Sequence, residues 1–186
     1  MGRYRAPEPP KTAIINPRGS ARLRAELSHL WKVKRPEVTA RVAAAAALGD
    51  RSENANYIYG KRQLAEIDGR IRYLDKRLRT LQVVDRKPTD EGLVYFGAWV
   101  WLEPRDDLEQ QKMLLYRIVG PDEIDDDPAY ISIDSPMARA LVGRRCGQEV
   151  SIVQRQGDSR LLTFNATTKD SVFDIVRIFY GERDGF

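Results

Sequence analysis

Apolar side chains at Leu64, Ile67, Ile71, Leu74, Leu78 and Leu81 recur at alternating spacings of three and four. That period draws one stripe down one face of a helix, and the stripe must be buried against a partner helix. Tyr57 and Gly60 carry the same phase backwards toward the start of the arm. A second helical pattern precedes it, with Leu23, Leu27 and Leu30, then Val38, Val42, Ala45 and Leu48 one residue out of phase. Pro36 sits at the slip, and proline inside a helix removes a backbone bond, so a bend near Arg35 or a break into two helices is predicted. Asn16-Pro17 supplies a start signal, and Ala43 to Ala47 is strongly helix-favouring. The two patterns are joined only by the stretch 48–55, so the arms must run antiparallel. Arms of about 30 residues would project roughly 45 Å, which suits a probe more than a core element.

The rest of the chain reads differently. Residues 1–13 are rich in proline and arginine and are expected to be a disordered tail. The hairpin is assigned to 14–87, a polar linker to 88–92 and a second domain to 93–186. Beyond the linker the period falls to two. Strands are predicted over Leu93 to Leu102, Met113 to Val119, Tyr130 to Ile133, Gln148 to Val153, Arg160 to Phe164 and Val172 to Tyr180. Asp134-Ser135 offers a cap and Pro136 a first helical residue for a short helix through Leu141. The fold class is therefore α+β, a long antiparallel hairpin followed by a small domain of mainly antiparallel strands.

Charge divides along the same line. Residues 1–88 carry a net +11 and residues 89–186 a net −7, although the whole is only +4. A basic half facing nucleic acid and an acidic half with another task is one reading, and long solvated helices decorated with Arg and Lys is the other. The single cysteine, Cys146, excludes an internal disulfide and a thiolate metal site, and the single histidine, His29, excludes a histidine cluster. There is no phosphate loop and no nucleophile triad. No signal peptide and no bilayer-spanning stretch is recognised, which fits a reducing cytoplasm.

At the turn of the hairpin, Leu48-Gly49-Asp50-Arg51-Ser52-Glu53-Asn54-Ala55 places two carboxylates three residues apart. Asp50 and Glu53 are close to a capping box at the start of the second arm, where negative charge is favoured in any case. The competing reading is that they ligate a hard cation such as Mg²⁺. Two carboxylates fall short of its octahedral oxygen shell, so they would serve best beside another protein's metal and a phosphodiester.

The same stretch, with Tyr57, resembles the tip of the Gre family of bacterial transcript cleavage factors, of the GreB type. Leu30-Trp31 and Arg35-Pro36-Glu37-Val38-Thr39 are similar to the family too, as are Phe96-Gly97-Ala98-Trp99-Val100, Arg117-Ile118-Val119-Gly120 and Tyr130 to Leu141. The resemblance covers about residues 11–155 and resumes near Val172. It implies an antiparallel coiled coil and an FKBP-like C-terminal domain. It also implies binding to RNA polymerase, entry through the secondary channel, and polymerase-catalysed, Mg²⁺-dependent cleavage at the 3′ end of backtracked RNA. The family's tip acids fall on Asp50 and Glu53, which would share Mg²⁺ with the polymerase. Its docking loop falls on Asp134, Ser135 and Pro136. Its basic patch falls on Lys61 and Arg62, with Arg70 and Arg77 as further candidates. On this resemblance the chain is a monomeric, cytoplasmic cofactor of another enzyme. A channel-occupying Gre-fold regulator, an FKBP-like prolyl isomerase or chaperone and a plain nucleic-acid-binding coiled coil are the alternatives. Met1 to Pro10, an apparent insertion at 161–170, and Arg183 to Phe186 depart from the family pattern.

Overall fold

The computed structural model describes residues 10–47, 54–105, 113–152 and 171–181. These form two compact units, one of Pro17–Val83 and one that combines the chain up to Asn16 with the chain from Val84 onward.

The first unit is the helical hairpin. Its outgoing arm is continuous from α1 (Pro17–His29) through a π-helical turn (Leu30–Lys34) into α2 (Arg35–Ala47), and it returns as α3 (Ala55–Thr80), followed by the two-residue strand β2 (Gln82–Val83). The helix neither ends nor breaks at Pro36. The Arg35 N–H donates to the Leu30 carbonyl, five residues back, and this wider turn accommodates one extra residue. The phase slip between Leu30 and Val38 is thereby absorbed. Val38, Ile67 and Ile71 form the buried seam, with Leu27, Leu30, Val42 and Leu64 packed on it. Leu74 is also buried, whereas Leu78 and Leu81 are only half-buried. Polar bonds join the arms on the flanks. Arg70 forks onto Glu26 at 2.7 and 2.9 Å, Arg35 reaches Asp68 at 2.7 Å, and Arg41 reaches Gln63 at 3.1 Å. Gly60 lets the arms approach, because a Cβ there would lie 2.6 Å from a methyl of Val42.

The second unit holds β1 (Ile14–Ile15), β3 (Trp99–Pro104), β4 (Leu114–Val119), β5 (Tyr130–Ser132), α4 (Pro136–Leu141), β6 (Glu149–Ile152) and β7 (Ser171–Phe179). Five of these strands make one sheet in the order β5-β4-β3-β7-β6. The β3–β4, β3–β7 and β6–β7 pairs are antiparallel and β4 and β5 run parallel, so the sheet is mainly antiparallel as expected. Alternate residues Val100 and Leu102 of β3, Ile118 of β4, Val150 and Ile152 of β6, and Phe173 and Ile175 of β7 fill the core under Met137, Ala138 and Leu141 of α4. The strand expected to begin at Leu93 begins at Trp99 instead. Leu93 makes only an isolated bridge to Arg145, and Gly97, with φ +86°, turns the chain before β3. The strand expected at Arg160 to Phe164 and the apparent insertion at 161–170 lie outside the described residues.

The stretch read as a tail is in part structural. Residues 1–9 lie outside the described residues, but Thr12 donates its N–H to Asp134 at 2.9 Å and its hydroxyl to the same carboxylate. Further on, Glu123 is fully buried and accepts N–H groups from Gly120 at 3.0 Å and Asn16 at 3.3 Å. Gly120 is required beside it, since a Cβ there would lie 2.3 Å from the Ile14 carbonyl oxygen.

Candidate functional site

Among the described residues, one side chain joins the two arms beside the turn. Asn54 is the N-cap of α3, accepting the Tyr57 N–H at 3.2 Å on its Oδ1. Its Nδ2 donates to the Ala45 carbonyl at 3.0 Å, so the same amide ties the start of α3 to the last turn of α2. Asparagine suits this double task because it carries both an acceptor and donors on one short side chain. The cap thus falls on Asn54 rather than on the Asp50 and Glu53 box, a correction the preference of asparagine for caps could have supplied. Asp50 and Glu53 themselves lie outside the described residues.

Behind the turn, the basic candidates divide by what they touch. Lys61 is exposed, with its ammonium 5.9 Å from the Tyr57 ring centroid. Arg62 is exposed and pairs with Glu66 one turn on at 3.2 Å, a contact that competes only weakly with solvent and with other anions. Arg70 is committed to Glu26 and also lies over Tyr73 at 5.3 Å, which makes it a staple between the arms more than an available cation. Arg77 is half-buried, and its carbonyl accepts from Leu81 N–H and the Thr80 hydroxyl at the end of α3. The four therefore do not form one even patch, and Lys61 and Arg62 are the outward pair near the tip.

In the sheet unit, Ser135 caps α4, accepting the Ala138 N–H at 3.1 Å, and Pro136 follows as its first residue and is exposed. Asp134 is half-buried and its carboxylate is held by Thr12, a partner 122 residues away that no local pattern announces. The loop is consequently presented by its neighbours, with Asp134 facing the N-terminal segment. Burial is the main cause that raises the pKa of Glu123 above the usual carboxylate range, opposed by the N–H donors of Gly120 and Asn16; Asp126 raises it further and Arg117 opposes that. Among the described residues no group of three or more His, Cys, Asp or Glu side chains could hold a metal ion, and no helix is long and apolar enough to cross a membrane.

Comparison with known proteins finds matches to both halves of the chain. Residues 13–83 match the family described as transcription elongation factor, N-terminal, and residues 88–166 match transcription elongation factor, GreA/GreB, C-term. A transcription elongation factor GreB from Pseudomonas aeruginosa is 58% identical over 158 residues, covering 85% of this chain and 92% of that protein. GreB from Xanthomonas axonopodis pv. citri is 58% identical over 149 residues, covering 80% and 87%. Among solved structures, GreA factor homolog 1 (Gfh1) of Thermus thermophilus aligns over 91% of this chain and 99% of its own, at 23% identity and a TM-score of 0.38. With both halves matched in order and more than half of the aligned residues shared with curated relatives, the chain belongs to the GreA/GreB family of transcription elongation factors.

Proposed function

We propose that this protein binds RNA polymerase, passes its hairpin through the secondary channel and stimulates the polymerase's own Mg²⁺-dependent endonucleolytic cleavage of backtracked RNA. It acts as a monomeric cofactor in the cytoplasm and rescues arrested complexes. The observation that carries the reading is the bonding of Asn54. That residue caps α3 and ties it to Ala45, so the carboxylates of Asp50 and Glu53 are not needed for either task. This supports assigning the two acids a chemical task instead of a capping one.

Carboxylates at 50 and 53 are hard oxygen donors and suit Mg²⁺, but two of them cannot complete its shell, so the ion would be held jointly with the polymerase's own acids and the RNA phosphate. When bound there it would supply a more acidic water and neutralise charge on the phosphodiester. The remaining work belongs to this chain. Asp50 and Glu53 contribute negative charge at the cleavage point, while Lys61 and Arg62 attract the phosphates of the extruded RNA. Ser135 and Pro136, presented by Asp134, contact the polymerase.

The test is incubation with a backtracked elongation complex, scoring 3′-terminal RNA fragments. Wild type should release them quickly. Asp50→Asn and Glu53→Gln should bind polymerase normally and cleave at a small fraction of the rate, with partial recovery at raised Mg²⁺. A channel-occupying regulator would bind without releasing fragments, and full activity in Asp50→Asn would end the assignment of the tip.

A further inference from the structure

A groove of about 730 Å³ runs along one flank of the hairpin stem. Its apolar lining is Leu27 and Trp31 from the outgoing arm and Ile71 and Leu78 from α3. Leu27 and Trp31 are one helical turn apart, and Ile71 and Leu78 are two turns apart. Two antiparallel arms with anchors at those spacings form the trough into which a third helix packs, meeting it at every turn or second turn. Trp31 lies in the π-helical turn and is 58% exposed. An exposed tryptophan beside other apolar groups marks a place where something docks.

The rim states the charge of the occupant. Arg24, Lys32, Arg72 and Arg79 line the groove against a single carboxylate, Asp75, which is itself engaged by Arg79 at 3.0 Å. The complementary surface is apolar along one stripe and acidic along its edges. Single-stranded RNA fits less well. The floor is mainly aliphatic, and Trp31 is the one aromatic group lining it, short of the series of rings on which successive bases stack.

We propose that this groove docks an amphipathic, acid-flanked helix of RNA polymerase, a second contact made by the stem and separate from the tip and from the loop at Ser135-Pro136. The proposal rests on the reading above only in taking the polymerase as partner, not in taking cleavage as the outcome.

The experiment measures binding of the full-length chain to purified polymerase by fluorescence anisotropy, with cleavage scored separately at saturation. Trp31→Ala and Arg72→Glu should each weaken binding about tenfold, the scale for an aromatic anchor or a reversed rim charge. Cleavage per bound molecule and the melting temperature of the hairpin should stay unchanged. A photoreactive Trp31→benzoylphenylalanine variant should crosslink to a helical polymerase segment rich in Asp and Glu. Unchanged affinity in both variants would overturn the proposal. So would a crosslink to RNA, to a second copy of this chain, or to a polymerase segment without acidic residues. Wild-type binding without cleavage would refute the function proposed above and leave this contact standing, whereas a wild type that did not bind polymerase would refute both.

Discussion

Gly60→Ala and Gly69→Ala are the same substitution on the same helix, and the structure assigns them opposite signs. In a helix interior, alanine is more favourable than glycine by about 0.8–1 kcal/mol. At Gly69 a Cβ meets nothing within 4 Å, so that gain should appear in full. At Gly60 the new Cβ would stand 2.6 Å from Cγ2 of Val42. Valine in a helix has one strongly preferred rotamer, so its methyl cannot simply swing aside. Either Val42 leaves that rotamer or the arms separate, and overpacking of this kind costs about 1–3 kcal/mol. Gly60→Ala should therefore be net destabilising by up to about 2 kcal/mol, and the two variants should differ by about 1–3 kcal/mol. Urea titrations followed by circular dichroism at 222 nm report mainly on α1 to α3. For a domain of this size, each kcal/mol should also move the melting temperature by about 4–8 °C. The assignment to one methyl can be checked by a double-mutant cycle, since in a Val42→Ala background Gly60→Ala should recover most of its loss. If Gly60→Ala stabilised the hairpin as much as Gly69→Ala, the close approach of α2 and α3 would be wrong.

Asn54→Ala should destabilise the hairpin by about 1–3 kcal/mol, combining a lost cap with a lost bond to Ala45, and Asn54→Asp should recover only the cap share in the same melts. Because the pKa of Glu123 is raised in the folded state, its favourable contribution is complete below about 4.5, its ordinary value, and is lost as pH rises through the higher folded value. Relative to Glu123→Gln, wild type should thus lose stability as pH rises above 4.5 and through the raised folded value, and parallel stability curves for the two would contradict this. Asp134→Lys removes both acceptors of Thr12 and should release the N-terminal segment, seen as faster amide hydrogen exchange at Thr12. Pro136→Ala, at an exposed position, should leave that exchange unchanged and lower polymerase affinity alone.

The hairpin was legible because its seam repeats: Ile67, Ile71 and Leu74 are buried where the period puts them. The π-helical turn was visible only as a slip of phase beside Pro36, since local spacing registers an extra residue without saying how the backbone absorbs it. The parallel pairing of β4 and β5 left no trace in sequence, because alternation marks the faces of a strand and not its direction. Residues 93–98 continue the apolar run of β3 as a buried strand would, yet Gly97 turns the chain where no side chain is needed to mark the bend. At the candidate site, the acids at 50 and 53 are legible as a motif, but their spacing fits a capping box as well as a metal site, and only the fold shows that Asn54 caps α3. Thr12 was hidden for a different reason. Its partner is defined only by the tertiary fold, and a Pro- and Arg-rich context pointed the other way.

The N–H of Val84 donates to the carbonyl of Ile15 at 2.9 Å, so the points where the chain leaves and re-enters the sheet unit are adjacent. The hairpin is thus an insertion within that unit, although its sequence lies almost at the beginning of the chain. During synthesis, Thr12, Ile15 and Asn16 emerge early, but their partners Val84, Glu123 and Asp134 follow only after the entire stem has been made. The stem has its own buried seam and local contacts and can form first, whereas the sheet unit must close a loop across it. Asn16 and Val84 could accordingly be joined by a short turn to excise the stem, or spliced to a hairpin of another length, so that reach could change without rebuilding the sheet unit.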